Sequence, residues 1–67
     1  MPEVLILPDN RRIKVEPGTS IGKLLESIGI RDPEDVAVIV NNRLVEDTSY
    51  VVREHDKIRI IFQGIGG

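Results

Sequence analysis

The chain has 67 residues, of which 40% are hydrophobic and 30% are charged, so it has room for one small domain. It contains no cysteine, which excludes disulfides and thiolate metal ligands, and its net charge of −2 provides no basic field for direct nucleic-acid binding. No apolar run approaches the roughly 20 residues that cross a bilayer, and no signal peptide is visible, so we expect a cytoplasmic protein with no membrane partner.

The first part of the chain predicts a β-hairpin. Residues 3–8 form an apolar run that ends at a proline, and Asp9-Asn10 has the chemistry of a turn. Residues 12–16 then alternate between apolar and polar side chains, as a strand with one buried face does. Two such strands around a short turn indicate an antiparallel pair.

A helix is predicted after the hairpin. Thr19 or Ser20 is a natural N-cap, and Gly29 is the predicted C-cap. Between them, apolar side chains recur with the spacing of one helix face: Ile21, Leu24, Leu25 and Ile28. Gly22 lowers helix propensity by about 1 kcal/mol relative to alanine. We therefore expect a packing reason for Gly22, and our hypothesis is a close approach of the helix to the sheet.

The middle of the chain predicts two further strands. Residues 31–35 are a polar connection with room for one short helical turn. Residues 36–40 are almost all apolar and β-branched, which is typical of a central buried strand. Asn41-Asn42 tolerates positive φ and indicates a tight turn before a brief strand at residues 43–45.

The last part of the chain predicts an irregular segment followed by the final strand. Residues 46–54 show no regular period, and three side chains are expected to anchor them to the core: Tyr50, Val51 and Val52. The pattern of residues 57–62 predicts the last strand.

This order of elements predicts an α+β fold in which one helix packs across a mixed sheet of four to five strands. If the last strand runs beside the first, alternation places three of its side chains against the helix: Ile58, Ile60 and Phe62. Three others would then face solvent or a partner: Arg59, Ile61 and Gln63.

Several short segments carry a family resemblance: residues 4–7, 18–25, 40–45, 54–58 and 62–67. In this order and spacing they resemble the ThiS and MoaD family of ubiquitin-like sulfur carriers, over the whole chain. His55 stands where glycine is common in the family. The ending resembles the ThiS form most closely, because MoaD proteins tend to be longer and to carry prolines before the tail. The resemblance implies a ubiquitin-like β-grasp domain at residues 1–62 and a flexible Gly-Gly tail at residues 63–67.

The resemblance also implies a chemistry for the end of the chain. Gly66 and Gly67 carry no Cβ, so a tail formed by Gln63, Gly64, Ile65 and Gly66 is narrow enough to present Gly67 inside a channel of another protein. A ubiquitin-activating-type adenylyltransferase would use ATP to convert the Gly67 carboxylate into an acyl-adenylate. A persulfide sulfur donor would then replace AMP and leave a thiocarboxylate. The chain would be a protein co-substrate that binds no cofactor, and not an enzyme.

Three functions stay open at this point. As a sulfur carrier, the chain would serve thiazole synthase in thiamin biosynthesis, the large subunit of molybdopterin synthase, or a tRNA thiolase. As a ubiquitin-like modifier, it would be joined to lysines through Gly67. Both functions use the same adenylate, so the tail does not separate them. The third interpretation is a β-grasp binding domain whose terminal glycines are incidental.

A docking face is expected beside the tail, because the resemblance implies that the outer face of the sheet contacts the activating enzyme. The residues predicted for this face are Arg59, Ile61 and Gln63. For Ile61, the alternative is burial beneath the Tyr50 loop. No catalytic set and no metal site are predicted, since His55 falls in a turn and the acidic residues at 32–35 lack the spacing of a calcium loop.

Overall fold

A computed structural model describes residues 1–63, and Gly64, Ile65, Gly66 and Gly67 lie outside the described part. The elements in chain order are β1 (Glu3–Leu7), β2 (Arg11–Lys14), α1 (Ile21–Ser27), a short 3₁₀ helix (Pro33–Asp35), β3 (Val36–Val40), β4 (Arg43–Leu44) and β5 (Ile58–Phe62). Every predicted strand and the helix are present; β3 has the predicted bounds, and the ends of the others differ from the prediction by at most two residues. The helical turn expected near residue 33 is the 3₁₀ helix.

The strands form one mixed sheet in the order β2-β1-β5-β3-β4. β1 pairs antiparallel with β2 and parallel with β5, while β3 pairs antiparallel with both β5 and β4. The last strand therefore runs beside the first at the centre of the sheet, which is the condition on which the side-chain prediction for β5 rested. With α1 on one face, this arrangement is the α+β β-grasp fold.

Residues 36–40 form an interior strand with neighbours on both sides, as predicted, although β5 and not β3 is in the middle of the sheet. β3 lies one place from the centre, between β5 and the two-residue β4. Its burial alternates, so that Val36, Val38 and Val40 are buried while Ala37 and Ile39 are only partly covered. The second face of this apolar strand is therefore only partly covered by the described residues.

The core lies between α1 and the facing side of the sheet. Val4 and Ile60 are fully buried at the sheet centre, and Ile21 and Leu24 are 1% exposed on the helix. The predicted helix face is confirmed, although Ile28 is only partly buried because it lies at the helix end. No helix among residues 1–63 has the length and apolar character needed to span a membrane.

Both ends of α1 are capped. The Oγ atom of Ser20 accepts a hydrogen bond from the Lys23 N–H at 3.2 Å, which makes Ser20 the N-cap. The C-cap is Ile28, one residue earlier than predicted. Gly29 follows it with φ of +88°, and its N–H donates to the Glu26 carbonyl at 3.1 Å. With the Ile30 N–H bonded to the Leu25 carbonyl at 2.9 Å, this is a Schellman motif.

Gly22 has a packing reason, but not the predicted one. A Cβ at Gly22 would lie 3.3 Å from the Thr48 carbonyl oxygen, and the Gly22 N–H donates to that same oxygen at 2.8 Å. The close approach is therefore to the 46–50 loop and not to the sheet.

Two expected core residues are exposed. Tyr50 and Val52 pack against the core as predicted, but Val51 is 49% exposed because this extended segment alternates in direction. Phe62 was predicted to face the helix and is 43% exposed. A seven-residue helix is about 10 Å long and a five-residue strand about 17 Å, so α1 does not cover the end of β5.

Candidate functional site

The sheet surface opposite α1, the outer face, contains Ile61. Strand register places Ile61 between Leu7 on β1 and Ala37 on β3, and all three side chains are partly buried. Tyr50 packs against the helix-side core, whereas Ile61 does not. Ile61 therefore lies on the outer face and not beneath the Tyr50 loop.

Arg59 lies on the same face, two residues earlier along β5. Its cross-strand neighbours are Leu5 and Ile39, and its own side chain is exposed. The Nη2 atom of Arg59 donates to the Asn42 Oδ1 atom at 3.1 Å. A neutral amide thus orients the guanidinium group without cancelling its charge.

The turn that carries Asn42 is fixed to the start of β5. Asn41 and Asn42 have φ of 53° and 68°, which confirms the predicted tight turn. Asn41 bonds Lys57 twice, because its N–H donates to the Lys57 carbonyl at 2.8 Å and its Oδ1 accepts from the Lys57 N–H at 2.9 Å. These two hydrogen bonds fix the position of Asn42, and with it the orientation of Arg59.

A buried carboxylate also binds the side chain of Asn41. Asp56 is 7% exposed, and its oxygens accept from the Asn41 Nδ2 at 2.8 Å, the Tyr50 hydroxyl at 2.7 Å and the Arg53 N–H at 2.9 Å. Burial by itself raises the pKa of Asp56, but these hydrogen bonds outweigh it and lower the pKa below its ordinary value. Asp56 is therefore ionised at neutral pH and ties the 46–56 segment to the β3–β4 turn.

Charge is distributed unevenly over the outer face. Around a depression between β1, β2 and β5, and continuing along β2, four cations form what we call the basic zone: Arg12, Lys14, Lys57 and Arg59. Two carboxylates also line this depression, Glu3 and the buried Asp56, and Glu3 pairs with the Arg12 Nη1 at 3.1 Å. Nearer the end of β5, three aliphatic side chains form the apolar zone: Leu7, Ala37 and Ile61.

The chain leaves the sheet just beyond the apolar zone. β5 ends at Phe62, and the Gln63 N–H donates to the Asp35 carbonyl at 3.1 Å while its side chain is exposed. Gly64, Ile65, Gly66 and Gly67 lie outside the described residues. The structure brings Arg59 and Ile61 onto one surface that leads to Gln63, whereas the roles of the tail and the domain boundary after residue 62 stay predictions.

Most neighbours of Ile61 and Arg59 were missed by the sequence reasoning: Leu5, Leu7, Arg12, Ala37 and Ile39. A signal for four of them was present, because residues 4–7 and 36–40 are apolar at both odd and even positions. With a single helix to cover one face, the other half of such a run must face away from it. Which of these residues are neighbours across strands could not be predicted without the register of the sheet.

The other candidate residues do not come together into a site within the described part of the chain. Among residues 1–63, no group of three or more His, Cys, Asp or Glu side chains is arranged to hold a metal ion. His55 is exposed in a turn, and the Asp32 carboxylate accepts from the Glu34 N–H at 3.0 Å as the cap of the 3₁₀ helix.

Comparison with known proteins identifies the family of this chain. A sequence model described as the ThiS family matches residues 4–67, which is nearly the whole chain. The chain belongs to the ThiS family. Proteins of this family are small ubiquitin-like sulfur carriers and not enzymes. The outer face is therefore part of a ThiS-family domain, and it leads to Gln63.

The fold is also found among solved structures. The solution NMR structure of a thiamine biosynthesis protein from Geobacter metallireducens superposes with a TM-score of 0.54 at 15% sequence identity, covering 97% of this chain and 85% of that one. A comparison with curated protein sequences found no match. At this identity the likeness establishes that the ThiS-family chain shares the fold of that protein.

Proposed function

We propose that this ThiS-family chain carries sulfur as a thiocarboxylate on Gly67. The observation that carries the proposal is the family match, which runs over the folded domain and on through Gly66 and Gly67. The function needs little from the carrier itself, since the folded body has only to dock and present a reachable carboxylate.

The chemistry requires activation by a second protein. A carboxylate is a poor electrophile, because its charge repels nucleophiles and oxide is a bad leaving group. Attack of the Gly67 carboxylate on the α-phosphorus of ATP releases pyrophosphate and forms an acyl-adenylate. A persulfide sulfur from a donor protein then attacks the acyl carbon and releases AMP. A thiol next reduces the sulfur–sulfur bond, which leaves the thiocarboxylate on the carrier and a disulfide on the donor.

Binding affinity has to come from the folded body. Ordering a chain segment costs about 1–2 kcal/mol per residue, so a short glycine-rich tail contributes little net affinity in a channel. We assign the docking role to the outer face, with Arg59 and Ile61 on β5 and Gln63 at the exit of the chain. Its support is that Ile61 lies in a partly buried aliphatic cluster on this face, two residues before Gln63.

Among the sulfur acceptors, we favour the synthase that forms the thiazole of thiamin. The support is the family match together with the likeness to a thiamine biosynthesis protein. A molybdopterin synthase or a tRNA thiolase would take the same thiocarboxylate. Conjugation to lysines would consume the same adenylate without sulfur.

The proposal is tested by incubating the purified chain with the adenylyltransferase of the same organism, ATP and a persulfide donor, followed by intact-mass spectrometry. We expect the mass change that replacement of one carboxylate oxygen by sulfur produces. Gly67→Ala should block it, because a methyl group shields the acyl carbon, while Gly64→Ala serves as a control within the same tail and should react.

Two results would contradict the proposal. One is unaltered thiocarboxylate formation in Gly67→Ala, and the other is the absence of any adenylate on the unaltered chain. In protein purified from the native host, adducts to other proteins through Gly67 would indicate a modifier instead.

A further inference from the structure

The two neighbours of β5 hold its end to different lengths. On the β1 side, the register stops with Leu7 opposite Ile61. On the β3 side, it continues to Val36 opposite Phe62, and the chain is then held for one residue more, because the Gln63 N–H donates to a carbonyl of the 3₁₀ helix. The 3₁₀ helix therefore holds the first residue of the predicted tail.

The carbonyl in this contact belongs to Asp35, and the turn around it is stiffly built. Pro33 opens the 3₁₀ helix with a fixed φ. The Asp32 carboxylate accepts from the Glu34 N–H at 3.0 Å, and the Asp32 carbonyl accepts from the Asp35 N–H at 3.0 Å. On the other side of Asp35, the buried Val36 begins β3 and donates its N–H to the Pro33 carbonyl. The Asp35 carbonyl is thus fixed from both directions along the chain.

Joining α1 to β3 does not by itself require this contact, because the ladder between β3 and β5 is complete at Val36 and Phe62. The contact adds one held residue, Gln63, after the last pair of the ladder. Gly67 is four residues farther along the sequence, and four fully extended residues span at most about 14 Å. The position of Gln63 therefore limits where the Gly67 carboxylate can be placed relative to the folded body.

We propose that the 3₁₀ helix is a tail anchor, in which the Asp35 carbonyl holds the Gln63 N–H so that the tail enters the adenylyltransferase from a fixed point of the body. The inference rests on the proposed function and adds positioning residues to it. Asp32 and Pro33 act through Asp35, and the anchor touches none of the reacting atoms. Without the anchor, Gln63 becomes an additional residue that the enzyme has to order.

Loss of the anchor should lower kcat and leave KM almost unchanged. The body docks through the outer face, whereas the anchor is a contact within the carrier itself. Once the body is docked, placing the Gly67 carboxylate beside ATP is an intramolecular step that depends on orientation. The entropy of one additional unordered backbone residue reduces the productive fraction of the complex by about 5- to 30-fold.

The test is adenylation of the full-length chain by the adenylyltransferase of the same organism, measured by ATP–pyrophosphate exchange at varied carrier concentration. Gln63→Pro deletes the donor N–H, while Gln63→Ala removes the same side chain and keeps the N–H. We expect the kcat of Gln63→Pro to be about 5- to 30-fold below that of Gln63→Ala. The KM values of the two variants should agree within about twofold.

A second pair of variants tests the acceptor side, because proline also restricts its own backbone. Asp32→Ala removes the cap of the 3₁₀ helix, and Glu34→Ala is the matched control, since it removes an exposed carboxylate from the same turn and leaves the cap in place. Asp32→Ala should lower kcat and speed hydrogen exchange of the Gln63 amide relative to Glu34→Ala. Circular dichroism checks that each variant is folded.

The outcomes separate this inference from the proposed function. If the unaltered chain is adenylated and Gln63→Pro matches Gln63→Ala in kcat, the tail anchor is overturned and the proposed function stands. A loss confined to KM would assign the turn to docking and overturn the anchor as well. A kcat loss in Gln63→Pro that Asp32→Ala does not share would belong to the proline ring, with the same consequence. If the unaltered chain is not adenylated, both proposals are overturned.

Discussion

At the residue scale, Asp56 shows how one buried side chain supports the surface that carries Arg59. Its carboxylate holds Asn41, Tyr50 and the Arg53 backbone, and Asn41 fixes the turn from which Asn42 reaches Arg59. Removal of a buried acceptor that binds three donors leaves each of those donors unsatisfied.

We therefore predict that Asp56→Asn lowers the free energy of unfolding at pH 7 by roughly 2 kcal/mol, measured by urea denaturation. Because the pKa of Asp56 is lowered in the folded state, its contribution is present above the unfolded pKa of about 3.9 and is lost as the pH falls through the folded value. The difference between the two proteins should shrink in acid. Glu16→Gln, which neutralises an exposed carboxylate, is the control, and an equal loss in that variant would contradict the prediction.

Gly22 shows what sequence reasoning can and cannot supply at one residue. Its low helix propensity correctly indicated a tight contact. The partner in that contact is the Thr48 carbonyl oxygen, which would lie 3.3 Å from a Cβ at this position. Thr48 belongs to an irregular loop far along the sequence, and the placement of such a loop has no local periodicity from which to predict it.

At the element scale, the elements themselves followed from the sequence because their signals are local. Spacing, capping residues and turn chemistry are all contained within the segments that form α1 and the hairpins. The burial of individual side chains was harder to predict, because it depends on the length of one element relative to another. Phe62 has the correct parity for the buried face of β5 and yet is exposed, since α1 is too short to reach it.

This difference along one strand gives a sharp prediction. Ile60→Ala should cost about 3 kcal/mol of unfolding free energy, because Ile60 is fully buried. Phe62→Ala, which removes a larger side chain from the same face, should cost less than about 1 kcal/mol because the ring is 43% exposed. Thermal or urea denaturation of both variants measures these two costs. A larger cost for Phe62→Ala than for Ile60→Ala would show that the end of β5 is core.

At the scale of the whole molecule, the outer face is a composite of strands from both ends of the chain. Leu7 and Ile61 are neighbours through the parallel pairing of β1 and β5, and Ala37 comes from β3. The sequence indicated the β5 residues of this face through the alternation of side chains along the strand. Their neighbours on β1 and β3 required the register of three strands, which no single segment encodes.

The division between domain and tail is testable at this scale. Deleting residues 64–67 should leave the free energy of unfolding within about 0.5 kcal/mol of the full chain, because the described core uses residues from Val4 to Ile60. The same deletion should abolish adenylation by the cognate enzyme. A loss of stability above about 1 kcal/mol, by urea denaturation, would place the boundary later than residue 62.

The central position of β5 has a consequence for how the protein is made. Without β5, the strands among residues 1–57 form two separate hydrogen-bonded pairs, β1 with β2 and β3 with β4. Because β5 follows the other four strands in the sequence, the sheet can close only after residues 58–62 have been synthesised. Chains that stop before β5 would be left unfolded and open to proteases, so a cell would rarely accumulate folded copies that lack this strand.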